Sequence, residues 1–282
     1  MPETNPILIA CLLSLLAGLG TGLGGLIAAF RTPGKRSFGF IMGITAGVML
    51  TLAFHQLVSE AWELAGFLTA TIGFAAGATV MLALDMLIPH IRFGEREPST
   101  LSEAVQPVEE DESWRGRRGR GRRWGRHKHR IMDRQLLHAG TLLSLGITLH
   151  NIPEGIAVGA GYIHMPDFGV MISVAILLHN IPEGIGTALP LAMSGVGRWQ
   201  AFWVALLSGL AEPIGALAAA AVLSTFAAIV PAALAFAGGV MVFITLDELL
   251  PMARQYGHQH YTAIGIILGA ILVFLLSGLF GV

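Results

Sequence analysis

His150-Asn151-Ile152-Pro153-Glu154-Gly155-Ile156 recurs verbatim as His179-Asn180-Ile181-Pro182-Glu183-Gly184-Ile185. Both copies lie in stretches otherwise apolar enough to span a membrane. An ionisable group at the middle of a membrane helix costs roughly 2.5–3.5 kcal/mol on insertion scales, so paired sets of imidazole, amide and carboxylate there point to function. The mixture of nitrogen and oxygen donors points to a metal cation as the thing handled.

The surrounding composition supports a membrane setting. Of 282 residues, 54% are hydrophobic and only 12% charged, with a mean hydropathy of +0.69. A soluble domain carries about 25% charged residues, so the expected class is all-α and polytopic. The 36 glycines suit close helix packing in lipid. One cysteine, Cys11, excludes an intrachain disulfide and a thiolate cluster. The formal net charge of −1 says little, because the charges are placed so unevenly.

Apolar runs of about 20 residues predict eight transmembrane helices near 6–30, 38–61, 65–90, 135–161, 168–191, 199–222, 225–250 and 261–281. The chain 1–282 is then one transmembrane domain. Its first span has no basic leader and no small-residue cleavage site, and it reads as an uncleaved span. All 17 Lys and Arg residues fall at 31–36, in 91–134, at Arg198 and at Arg254. Each of those connections lies on one side of an eight-span chain. A cytoplasmic excess of basic residues puts both termini on the non-cytoplasmic side of a plasma (inner) membrane.

The connection 91–134 pairs an acidic portion, Glu109 to Glu112, with Arg-Gly repeats from Arg115 to Arg126. Such blocks of like charge predict a disordered cytoplasmic loop. It enforces topology and attracts anionic lipid, and His127-Lys128-His129 within it is a lesser candidate for metal contact. No nucleic-acid partner and no organic cofactor are expected.

Residues four apart share a helical face, so His150 and Glu154 project together, as do His179 and Glu183. Pro153 and Pro182 cannot donate to the carbonyls of Leu149 and Leu178, which predicts a kink in each helix. Irregular backbone at membrane depth is tolerated where it lines a polar cavity. The two histidines are 29 residues apart, about half a span, a turn near Met165–Phe168, and half a span back. Both motifs therefore lie at one depth and face each other.

Glu212, in Ser208-Gly209-Leu210-Ala211-Glu212-Pro213-Ile214-Gly215, adds a third mid-membrane carboxylate. No Lys or Arg lies in any span core to neutralise these acids, so they are protonated or bound to a cation. Imidazole with carboxylate suits Zn, Fe, Mn or Ni better than Mg, Ca or an alkali ion.

These residues resemble the ZIP family of divalent metal transporters, over all eight spans. The family signature is His-Asn-x-Pro-Glu-Gly in the fourth span and a related His-x-x-Pro-Glu-Gly in the fifth. The Glu-Pro-Ile-Gly of the sixth span, the outward termini and the long cytoplasmic loop also match, most closely the bacterial-type branches. The resemblance implies a 3+2+3 arrangement in which spans one to three and six to eight are inverted repeats, with one bundle moving against the other to alternate access.

It also implies a binuclear centre. One metal sits among His150, Glu154, His179 and Glu183; the second takes Asn151, Asn180 and Glu212, with Glu154 and Glu183 as bridges. Some relatives carry Gln-Asp where this chain has His179-Asn180, which here adds a nitrogen ligand to the first site and removes an acid from the second. The resemblance further implies a pathway. His55 lies beside the first metal, Glu60 and Glu63 near the outer entrance, and Asp85, His90, Asp247 and Glu248 along the exit. Asp85 and Glu248 have a second reading as helix caps or partners of Arg92 and Arg254. His258 and His260 read as ordinary loop residues.

The resulting expectation is an importer of Zn²⁺, with Fe²⁺, Mn²⁺ and Cd²⁺ as further candidate ions. Its glycine-rich spans leave room for a homodimer. Two other classes remain open at this point: an intramembrane dinuclear metalloenzyme, hydrolytic or oxidative, and a metal-gated channel or sensor. The chain lacks the His-Glu-x-x-His helix of zinc proteases.

Overall fold

The computed structural model describes residues 5–31, 34–87, 134–256 and 258–282. The expected cytoplasmic loop, His90 and His127 to His129 lie outside the described residues. Within them the chain is helical, with no strand. Six stretches are long and apolar enough to cross a membrane: Pro6–Phe30, Arg36–Leu87, Pro166–Leu189, Arg198–Leu223, Ala227–Leu249 and Gln259–Phe280.

Local chemistry sets the boundaries. Helix α1 (Pro6–Phe30) starts with proline at its first position, and the Asn5 side chain accepts from the Ile7 N–H at 3.0 Å, as an N-cap should. Helix α2 (Lys35–Thr51) runs through a π-helical turn (Leu52–Val58) into α3 (Ser59–Leu87). The stretch Arg36–Leu87 has 52 residues, roughly 78 Å of helix at 1.5 Å per residue. It is broken at Gly66, whose φ of 78° and ψ of 170° no helix contains and which favours glycine.

Helices α4 (Arg134–His164) and α5 (Pro166–Ser194) form the central hairpin, joined by Met165 alone. Both continue through their prolines, Pro153 and Pro182. An interruption falls in the next helix, between α6 (Arg198–Gly209) and α7 (Ala211–Leu223), at Leu210. Pro213 cannot donate to the Gly209 carbonyl, which removes one bond at the joint. After a short 3-10 turn, α8 (Val230–Ile244) passes through a second π-helical turn (Thr245–Leu249) into α9 (Leu250–Tyr256), and α10 (Gln259–Phe280) ends the chain. The seventh helical stretch thus runs on past the expected end at 250.

The helices sort into two bundles. In the first, α1 packs on α5, α6 and α7, and α4 packs on α5 and α7. In the second, α3 packs on α8, and α2 on α9 and α10. The bundles meet where α4 lies on α8 and where α2 and α10 reach α5. Small residues bring the first bundle together. A Cβ on Gly18 would strike the Gly209 carbonyl, and one on Gly209 would strike that of Gly18, so α1 and α6 touch backbone to backbone.

Candidate metal centre

Three helices of the first bundle supply the centre: α4 gives His150, Asn151 and Glu154, α5 gives His179, Asn180 and Glu183, and α7 gives Glu212. All seven side chains are buried, none more than 1% exposed. The half-helix spacing places the motifs opposite one another, and they interlock crosswise. The Glu183 carboxylate contacts the His150 imidazole, while Glu154 Oε1 lies 3.0 Å from His179 Nε2. Each histidine thus meets the glutamate of the other copy. Donor atoms of His150, Glu154 and Glu183 all lie within 4.8 Å of one another.

Backbone groups orient the candidate ligands. His179 Nδ1 is 3.2 Å from the Ala175 carbonyl, which can only accept, so that nitrogen carries a proton. A neutral ring then presents a lone pair at Nε2 towards the Glu154 oxygen. Two acceptors facing each other require a proton or a metal ion between them.

The amides are fixed in the same manner. Asn151 Nδ2 donates to the Ser208 carbonyl at 2.9 Å and to Ser208 Oγ at 3.3 Å. Asn180 Nδ2 donates to the Ala17 carbonyl at 3.0 Å and to Glu212 Oε1. With their N–H groups engaged, both Oδ1 atoms are left for a ligand.

Buried polar atoms without a hydrogen-bond partner concentrate here: His150 Nδ1, Asn151 Oδ1, Glu154 Oε2, Asn180 Oδ1, Glu183 Oε2 and Glu212 Oε2. Each such atom costs about 1–3 kcal/mol when unsatisfied. Among the described residues no Lys or Arg is buried. A site of buried carboxylates, amide oxygens and imidazoles with no cationic side chain is chemically suited to divalent cations.

The last glycine of each motif has a packing role. A Cβ on Gly155 would collide with the Glu212 carbonyl, and one on Gly215 with that of Ile152, so α4 and α7 touch there. Gly184 meets Thr21 of α1 in the same manner. Ser208, the Ala17 and Ala175 carbonyls and these glycine contacts were not foreseen as parts of the centre. Ser208 stands in the quoted sixth-span segment, but backbone carbonyls leave no mark in a sequence.

The pathway candidates are more dispersed. Glu248 is half-buried in the second π turn. Asp247 beside it is exposed, and Asp85 is half-buried near the end of α3. His55, in the first π turn, is exposed with its ring 5.1 Å from that of Phe274 in α10, and is not among the buried residues of the centre. Glu63 is exposed, whereas Glu60 pairs with His164 at 2.7 Å. His258 and His260 are exposed, with their rings 5.6 Å apart at the start of α10.

Residues 90–277 match the family described as ZIP Zinc transporter. This chain belongs to the ZIP family. It is 37% identical to the zinc transporter ZTP29 of Arabidopsis thaliana, covering 94% of this chain and 92% of that one. It is also 37% identical to the zinc transporter ZupT of Akkermansia muciniphila, over 96% and 97% of the two chains. The zinc transporter ZupT of Corynebacterium glutamicum is 39% identical over 93% and 95%. ZIP membership, together with the buried His–Glu cluster, decides between the classes left open by the sequence: the chain is a multi-pass membrane transporter of divalent metal and not a metalloenzyme.

Proposed function

We propose that the protein imports Zn²⁺ into the cytoplasm through a binuclear centre with alternating access. The reciprocal pairing of two identical motifs, His150 with Glu183 and His179 with Glu154, carries this reading. The first ion is bound by His150, Glu154, His179 and Glu183. The second takes the Oδ1 atoms of Asn151 and Asn180 with Glu212, and Glu154 and Glu183 bridge the two. Fe²⁺, Mn²⁺ and Cd²⁺ suit the same donors and are candidate competitors.

Burial of all seven residues supports a carrier with an occluded state over an open channel. The two helical bundles are the natural units of movement. The chain crosses the inner membrane eight times. Arg36–Leu87 crosses twice around Gly66, and Arg134–His164 crosses despite its polar residues. Both termini face outwards and 91–134 lies in the cytoplasm, where its basic residues meet anionic lipid. Glu248 belongs to the inward route, with Asp85, His90 and Asp247 further along it, and the glycine-rich faces are available for a homodimer.

Zinc-65 uptake into proteoliposomes tests the assignment, with a panel of competing metals to rank preference. Glu183→Ala should lower uptake by at least about 100-fold, since loss of outer-shell partners alone costs about 10–100-fold at metal sites. Equal uptake by wild type and variant would sink the site. Bound metal requires deprotonated ligands, so uptake should decline as the pH falls from 7 to 5; a rise over that range would count against ligation by imidazole and carboxylate.

A further inference from the structure

We propose that His164 and Glu60 form a latch that holds the two bundles together at the end of α4 far from Arg134. The inference rests on the transport reading above for its consequence, and on geometry for its existence. His164 is the last residue of α4, in the first bundle, and Glu60 is the second residue of α3, in the second bundle. His164 Nε2 and Glu60 Oε1 are 2.7 Å apart, with side chains 20% and 26% exposed. His164 lies 14 residues beyond His150, roughly 21 Å along the helix. That places it above the centre, near the membrane surface.

The long-range side-chain bonds of the centre stay within the first bundle. With Asn151 to Ser208 and Asn180 to Ala17, they join α1, α4, α5, α6 and α7. Ser173 donates to the Leu13 carbonyl in that same bundle. Thr245 to Met49 and Thr262 to Ala253 stay inside the second. The His164–Glu60 bond crosses between them.

Its surroundings suit a latch. Helix α8, which α4 packs against, buries only apolar side chains. Apolar contact is non-directional, so such a seam can shift without breaking a directional bond. A hydrogen bond of 2.7 Å cannot slide. The first bundle also holds the histidine in position, because its ring stands edge-on to Phe168 of α5, with centroids 5.9 Å apart. Glu60 follows directly on the π turn Leu52–Val58. Opening the centre to this side requires the pair to part.

The test uses full-length protein in proteoliposomes. Cys11→Ser removes the one native thiol, and Ala61→Cys places a reporter beside Glu60 at a fully buried position. Labelling by a membrane-impermeant maleimide should speed up about two- to twelvefold in His164→Ala or Glu60→Ala, the range corresponding to one hydrogen bond. The double variant should label no faster than the singles, and the reversed pair (Glu60→His with His164→Glu) should slow labelling again. Unchanged labelling in the singles, or additive effects in the double, would overturn the latch.

A second measurement separates a latch from local fraying. Glu60→Cys with His164→Cys, bridged by a short cleavable thiol crosslinker, should lose zinc-65 uptake at least tenfold and regain it on cleavage. A bridged protein that transports at the unbridged rate also refutes the proposal. If wild-type protein in the same proteoliposomes carries no zinc, the transport reading fails, while the labelling measurement still decides the latch.

Discussion

The two heptapeptides are identical in sequence and differ in everything they touch beyond each other. Asn151 is tied to Ser208 of α6, whereas Asn180 is tied to the Ala17 carbonyl of α1 and to Glu212. His179 has its outer nitrogen against the Ala175 carbonyl, while His150 Nδ1 is buried without a partner. Gly155 lets α7 approach, and Gly184 lets α1 approach. One set of residues therefore performs two jobs: the candidate ligands are symmetric, and the supports that aim them are not. Identical side chains take different roles because tertiary neighbours supply different backbone carbonyls.

That contrast predicts a graded set of effects. The largest belong to the symmetric part. Glu154→Gln and Glu183→Gln should each reduce uptake about 100-fold or more, to similar extents, and a tenfold difference between them would end the equivalence of the copies. Next come the glycines. Gly155→Ala and Gly184→Ala place a methyl group against backbone and should each destabilise the protein by about 1–3 kcal/mol, the usual cost of overpacking. Thermal unfolding in detergent measures this, and an unshifted midpoint would show that the helices can separate freely.

The asymmetric supports should give smaller effects that divide the copies. Asn180→Ala removes an oxygen of the proposed second site and the contact to Glu212, so under the proposed binuclear centre metal content by mass spectrometry should fall from about two ions per chain towards one, and affinity by roughly tenfold. Ser208→Ala touches only the first copy and leaves the stronger bond from Asn151 to the Ser208 carbonyl. A loss of about 0.5–1.5 kcal/mol is the most one hydrogen bond provides, so uptake should drop less than tenfold. A larger loss in Ser208→Ala than in Asn180→Ala would reverse the assignment of roles.

Much of this centre was legible before any fold was known. The i, i+4 spacing of histidine and glutamate fixed a common face, and the 29-residue interval fixed a common depth. Glu212 was legible because an unneutralised acid in a membrane has few alternatives. The break at Leu210 was harder to read. Pro153 and Pro182 disturb the hydrogen-bond ladder as much as Pro213 does, yet only the helix containing Pro213 is divided. The pathway candidates sit in different surroundings: Glu248 is half-buried in a π turn, while His55 is exposed and rests on Phe274.

By itself the sequence determined the helical class, the membrane setting and the convergence of the two motifs. These depend on hydropathy and on the 3.6-residue period, both local properties of the chain. Only the tertiary structure decided which glutamate each histidine meets, which carbonyls orient the amides, and that His164 reaches across to Glu60. Those contacts join residues up to 163 positions apart. They depend on how helices pack and on backbone atoms that every sequence shares, so no pattern of side chains announces them.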